Sequence, residues 1–251
     1  MEQASAQEET GVNEVSGIIS ALQAARAKGQ VAELQTEDLP EALETAYEIA
    51  ASQLQEVAAW KIGGANPWSQ KVFGNAEVFF GPLAPGEVYV DTAELSLNGL
   101  CAPLAEPEIM LEIADPDGDG FARMGLGFEI PASVLPEAVK TRLAGQICDR
   151  AGAGALWIGA VREFDASALE TPFTSTFTHN GGAPVTGRST DVKGGPLGAA
   201  REFLMLARRY GLPVLPGQWI ATGGLNPAVA VTPGDQVGFA ALGDQVSVTF
   251  T

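Results

Sequence analysis

The chain predicts an α+β fold, with a helical N-terminal part ahead of a β-rich core, on two observations. Up to about residue 58 the apolar residues recur at helical spacing. Beyond it they fall in short alternating or continuous runs with Gly and Pro between them, which is how strands read. The 251 residues, 46% of them hydrophobic, suffice for one large core with a smaller appendage.

Residues 1–13 hold three glutamates and no basic residue, and read as a flexible acidic tail. Residues 14–58 form the helical region. Asn13 is placed to cap a helix through Val15, Ile18, Ile19 and Leu22. Thr36–Pro40 reads as the start of a second helix, with Ala42, Ala46, Ile49, Ala50 and Leu54 on its apolar face. Residues 59–251 form the β-rich core. Its first strands are expected near Val57–Ile62, Glu77–Phe80, Val88–Val90 and Glu108–Ile113. A helix over Ala138–Ala151 and a buried strand at Leu156–Ile158 follow. Asn180-Gly181 suits a tight primed turn between Phe173–His179 and Pro184–Thr186. Pro196–Tyr210 is an amphipathic helix with Leu197, Ala200, Leu204 and Ala207 inward. Strands at Trp219–Thr222, Ala228–Val231 and Gln245–Phe250 close the chain, with turns at Pro233–Asp235 and Gly243-Asp244.

The formal net charge of −17 repels phosphate backbones and argues against nucleic acid as a partner. No apolar run approaches the ~20 residues of a membrane helix, and the N-terminus lacks the pattern of a secretory signal. Cys101 and Cys148 sit among apolar neighbours and make no disulfide framework, so a cytoplasmic setting is expected. An anionic substrate would need a local positive centre, a metal ion or a lysine, against this field.

Ala105–Ile109 sets Glu106 and Glu108 two residues apart. In an extended segment they share a face. Two such acids repel unless a cation or a shared proton lies between them. Pro107 enforces extended or edge geometry, and Leu104, Ile109, Met110 and Leu111 put the pair beside a core. Glu129 is likewise embedded, in Gly127–Pro131. Three oxygen donors suit Mg²⁺ or Mn²⁺; one histidine and two scattered cysteines do not suit zinc. Asp115–Gly120 imitates the start of a calcium-binding EF-hand loop, but the twelfth position is Leu126. It reads instead as a hairpin turn that returns Glu129 beside Glu106 and Glu108.

Several segments together resemble the fumarylacetoacetate hydrolase superfamily, in the branch of 2-hydroxypenta-2,4-dienoate (2-oxopent-4-enoate) hydratases and 4-oxalocrotonate decarboxylases. They are Ala46–Ile49, Ala59–Gly63, Phe80–Leu83, Glu106–Glu108, Gly127–Ile130, Asn180-Gly181, Gly187, Gly194–Leu197, Thr222–Leu225 and Val231–Asp235. Their order and spacing from about Ala42 to Phe250 carry the resemblance; no one segment does. It implies a mixed β-roll or barrel core, homo-oligomers, and Mg²⁺ or Mn²⁺ on Glu106, Glu108 and Glu129. It implies a small 2-oxo or 2-enol carboxylate chelating that ion, with pairing to another pathway enzyme as an option. Lys61 would be the catalytic proton carrier, its pKa pulled down by burial beside a metal. Thr222, with the amides of Gly223 and Gly224, would bind the substrate carboxylate.

Two positions depart from the pattern. Phe79 stands where the hydratases usually carry an aspartate, and Asp149–Gly154 lacks the expected amide and hydroxyl, with Arg150 in the amide's place. Water addition needs a base to orient the water, so the first departure bears on hydration. Four functions follow from the sequence. The first is a hydratase giving 4-hydroxy-2-oxo acids in aromatic catabolism. A decarboxylase is the second, and a C–C hydrolase of acylpyruvates the third. The fourth is a catalytically degenerate paralogue. His179, the only histidine, falls at the hairpin and reads as a surface turn residue, which counts against the hydrolase.

Overall fold

The computed structural model describes residues 2–251, with side chains from Val15 onward. Helices α1 (Glu2–Lys28) and α2 (Leu43–Ser52) precede strand β1 (Ala59–Gly63). Then come α3 (Pro67–Phe73), β2 (Phe79–Leu83), β3 (Val88–Val90), β4 (Glu94–Leu95), β5 (Leu104–Asp115) and β6 (Gly120–Pro131). Short helices α4 (Glu137–Lys140) and α5 (Leu143–Cys148) lead to β7 (Ala153–Glu163) and α6 (Ala166–Glu170). The chain finishes with β8 (Thr174–His179), β9 (Val185–Arg188), α7 (Gly195–Arg209), β10 (Trp219–Ala221), β11 (Val229–Ala230), β12 (Gln236–Ala241) and β13 (Asp244–Phe250). The side chains of the acidic tail expected over 1–13 lie outside the described residues' side chains. Helix α1 already runs through position 13, so Asn13 lies within the helix and not at its start, where a cap was expected.

The larger sheet runs β2-β1-β10-β5-β6-β7-β3, with β11 paired to β5. It is mixed: β1 lies parallel to β10 and β3 parallel to β7, the other pairs being antiparallel. The smaller sheet runs β4-β13-β12-β8-β9. Phe128 of β6 joins the two sheets, its ring 6.4 Å from Phe177 and 6.1 Å from Phe239. Both faces of β5 and β6 are therefore buried along most of their length. Burying those residues supplies the main driving force for this layer.

Five expectations change in detail. Thr36–Asp38 is a single tight turn and the helix starts at Leu43, because Leu39, ahead of Pro40, is extended (ψ 140°). On α2 the buried residues are Ala46, Tyr47, Ile49 and Ala50; Ala42 is exposed. The helix expected over Ala138–Ala151 is broken at Arg142, which is extended (ψ 127°). It ends in a left-handed turn, with φ of 54°, 56° and 72° at Arg150, Ala151 and Gly152. β12 was not expected, since Gly238, Ala240 and Ala241 dilute its strand signal. Asn180 and Gly181 do adopt the left-handed values of a primed turn, φ 51° and 65°, but a longer loop then leads to β9. Among the described residues no helix is long and apolar enough to cross a membrane.

Gly81 of β2 passes directly under the Arg150 turn. A Cβ there would lie 1.8 Å from the Arg150 carbonyl oxygen. Gly81→Ala should therefore cost about 3 kcal/mol, at the upper end of overpacking penalties. Urea denaturation checks this, and a midpoint equal to that of the parent would refute it.

Candidate metal centre

The site begins with the register of the central hairpin. Glu106 of β5 lies opposite Glu129 of β6, and Glu108 opposite Gly127. Because i and i+2 share a strand face, the three carboxylates converge. One oxygen from each lies within 4.8 Å of the others. The Asp115–Gly120 turn closes this hairpin, as expected. Gly127 lets β6 pack closely there: a Cβ would come within 2.3 Å of the Trp157 carbonyl oxygen and 2.7 Å of the Met110 side chain. Glu108 and Glu129 are buried and Glu106 is half-buried.

Lys61 reaches the cluster from β1. Its Nζ donates to the Ala151 carbonyl (2.8 Å) and stands 3.1 Å from Glu129 Oε2 as an ion pair. Glu108 Oε2 accepts the Gly223 amide at 2.6 Å. Glu108 Oε1 and Glu129 Oε1 are buried without a hydrogen-bond donor among the described residues. Such orphaned anionic oxygens are costly unless a cation meets them.

Burial raises the pKa of all three carboxyls. For Glu108 the neighbouring Glu129 and Glu106 push it further up; for Glu106 and Glu129 the Lys61 ammonium opposes the rise. Lys61 is itself raised. Burial works to lower it, but Glu129, Glu106 and Glu108 outweigh burial. The chain's own charges therefore favour the ammonium form of Lys61. The lowered pKa expected from the sequence is that of a lysine beside a bound metal ion, whose charge would oppose these carboxylates.

A cavity of about 320 Å³ adjoins the cluster, lined by Lys61, Glu106 and Gly224 and by an apolar wall that includes Phe79. Thr222 and Gly223 do not line it. The Thr222 hydroxyl donates to the Ile109 carbonyl (2.9 Å), and the Gly223 amide is committed to Glu108. The anticipated grip of these two on a substrate carboxylate is thereby replaced by support of the metal-facing strand. Gly224 does reach the cavity; a Cβ there would sit 3.3 Å from Glu106 Oε2. His179 is elsewhere, at the end of β8, with Nε2 3.5 Å from Asp235 Oδ2.

The 149–154 departure has a structural explanation. Arg150 is buried and turned away from the cavity, forked onto Glu87 with two 2.8 Å bonds. Asp149 is paired with Arg26 of α1 and accepts from Ser133 Oγ (2.7 Å) and the Val134 amide (3.1 Å). Hydroxyl residues do line the cavity, Ser69, Ser133 and Thr141 among them, and the Ser133 proton goes to Asp149. Arg26, Glu87 and the Ala151 carbonyl escaped sequence reading because their partners are far along the chain.

The donor set fits a hard divalent ion. It is all oxygen, it is three carboxylates, and two of its oxygens lack other partners. No protein-family model matches the chain. It is 27% identical over 198 residues to a 2-keto-4-pentenoate hydratase of Paraburkholderia phymatum, covering 73% of this chain and 74% of that one. It is 28% identical over 221 residues to a 2-hydroxyhexa-2,4-dienoate hydratase of Comamonas testosteroni, covering 80% and 83%. The crystal structure of 4-oxalocrotonate decarboxylase from Pseudomonas putida G7, solved with magnesium and adipate, superposes with a TM-score of 0.82. The identity there is 21%, over 95% of this chain and 98% of that one. The chain thus has the fumarylacetoacetate hydrolase fold, and the branch it resembles is that of the 2-hydroxy-2,4-dienoate hydratases and 4-oxalocrotonate decarboxylase.

Proposed function

We propose that this chain is a metal-dependent lyase that hydrates 2-hydroxy-2,4-dienoates to 4-hydroxy-2-oxo acids. The observation that carries the reading is the convergence of Glu106, Glu108 and Glu129 beside Lys61 and a cavity. Similarity to the two hydratases supports the reaction. Glu106, Glu108 and Glu129 would hold Mg²⁺ or Mn²⁺. When bound, that ion supplies a Lewis acid for the carboxylate and 2-oxygen of the substrate.

The remaining roles fall to the chain's own groups. Gly223 and Thr222 fix the Glu108 backbone and side chain, directly and through Ile109. Lys61 Nζ, oriented by the Ala151 carbonyl, carries the proton delivered to the far carbon of the diene. It recovers one from the water that adds at C4, while the proton that leaves the 2-hydroxyl balances the one taken up at C3. Phe79 keeps bulk water off this side of the cavity. The protein is read as a cytoplasmic homo-oligomer, to be checked by fractionation and light scattering.

The test is loss of the dienol absorbance on adding 2-hydroxypenta-2,4-dienoate with Mg²⁺ or Mn²⁺, with product and CO₂ measured in parallel. A 4-hydroxy-2-oxo acid without CO₂ is the expected product. CO₂ from 4-oxalocrotonate without hydration would replace this reading by the decarboxylase, and no turnover of either would sink both.

Metal binding should depend on pH with a definite sign. Burial raises the three carboxyls, Glu129 to about 8, so below that range an incoming ion must displace protons. Without added metal, the folded chain holds protons that the unfolded chain has released. Its stability then falls as pH rises from the ordinary carboxylate range through the raised one. The melting-temperature gain on adding Mn²⁺ should therefore be larger at pH 8 than at pH 6. A gain that shrinks from pH 6 to pH 8 would contradict this.

A further inference from the structure

We propose that the cavity beside the carboxylates selects 2-oxo acids whose far end is an uncharged alkyl or aryl group, and discriminates against those ending in a second carboxylate. This rests on the metal-chelating reading above and adds the chemistry of the substrate's tail.

The wall away from Lys61 and Glu106 is hydrocarbon. Ile62, Val72, Phe73, Phe79 and Leu104 line it. Phe79 is buried, its ring edge-on to Phe73 at 5.1 Å, so the two rings form one rigid apolar surface. Gly63 and Gly64 make room for that ring: a Cβ on either would come within 2.4 Å and 2.9 Å of it. The phenylalanine is thus built into the fold around it.

Most polar side chains of the wall are already engaged. Among the described residues the exceptions are the Asn66 amide NH₂ and the hydroxyl of Thr141, an exposed residue, and both are uncharged. The Ser133 hydroxyl donates to Asp149, and the Ser69 hydroxyl donates to Asn66 Oδ1 at 2.6 Å. Gln146 Nε2 donates to the Lys140 carbonyl at 2.6 Å. The titratable residues lining the cavity are Lys61, Glu106 and Lys140. Lys61 is taken by Glu129, and Lys140 is ion-paired with Glu137 at 3.4 Å near the surface. A second carboxylate would therefore be desolvated against rings, with its nearest neutralising charge shared, inside a chain of net charge −17. An alkyl or aryl tail gains from the same wall.

Titration calorimetry with Mn²⁺-loaded protein tests this with pyruvate, 2-oxohexanoate and 2-oxoadipate. The last two share one six-carbon chain and differ in a terminal methyl against a carboxylate. The expected order is 2-oxohexanoate at least about tenfold tighter than pyruvate and than 2-oxoadipate. Val72 is 53% exposed on α3, so Val72→Lys leaves the core intact. It should narrow the gap by raising 2-oxoadipate affinity about tenfold. Equal or tighter binding of 2-oxoadipate by the parent protein would overturn the tail assignment and leave the metal reading standing. Failure of all three acids to bind with Mn²⁺ present would overturn the metal reading, and the tail assignment with it. A Val72→Lys variant with unchanged 2-oxoadipate affinity would remove α3 from the tail wall and overturn the assignment.

Discussion

Glu108→Gln should abolish metal binding and lower turnover by at least about 10³-fold, while raising the melting temperature measured without added metal. The two effects have one cause. Glu108 is buried, faces Glu129 and Glu106, and its carboxyl is held well above the ordinary range by burial and then by those two charges. A glutamine keeps the volume and still accepts the Gly223 amide through its oxygen. Its NH₂ takes the place of the orphaned Oε1 and offers hydrogens toward the acids opposite. The exchange replaces a carboxyl that must either hold a proton or carry a charge in burial by a group that is neutral at every pH, and it satisfies a buried polar atom. A gain of about 1 kcal/mol or more follows, or a few degrees for a chain of this size. Calorimetric titration with Mn²⁺ and thermal denaturation in chelator measure the two halves. A variant that binds metal normally would remove Glu108 from the ligand set. A variant that loses metal and also loses several degrees would mean the carboxylates are not in conflict without it.

The carboxylate cluster was legible in the sequence because its determinants are local. Strand alternation sets Glu106 and Glu108 on one face, and a turn rich in Asp and Gly dictates that the next strand returns alongside. The register Glu106 to Glu129 follows once the hairpin closes. What surrounds the cluster was not legible, because it depends on pairs with no shared segment. Arg26 meets Asp149 across 123 residues, and Thr222 meets Ile109 across 113. Nothing near Thr222 in sequence announces that its hydroxyl is satisfied by a backbone carbonyl. The broken helix over 138–151 illustrates the same limit. Its residues favour a helix, but buried Asp149 and Arg150 find their partners on α1, on the loop after Pro131 and at Glu87. Tertiary pairing overrides local preference there.

Asp149→Asn should cost about 3–5 kcal/mol, a fall in melting temperature on the order of 10 °C, and should lower kcat more than it raises KM. Asp149 is fully buried, and both of its oxygens face donors. Oδ1 receives the Arg26 guanidinium, while Oδ2 receives the Ser133 hydroxyl and the Val134 amide. Burial pushes the carboxyl up, and the Arg26 charge together with these hydrogen bonds acts to bring it back down. An asparagine turned either way sets its NH₂ against a donor and leaves Arg26 with an unneutralised, largely buried charge. The damage should reach the site because Asp149 anchors the left-handed turn Arg150–Gly152, and the Ala151 carbonyl in that turn orients Lys61. Adding Arg26→Met removes the stranded charge, so the double variant should regain part of the stability. It should not regain kcat, because Lys61 remains loosely held. An Asp149→Asn protein within a degree or two of the parent would show that the pair with Arg26 contributes little. One that melts early yet turns over normally would disconnect the turn from Lys61.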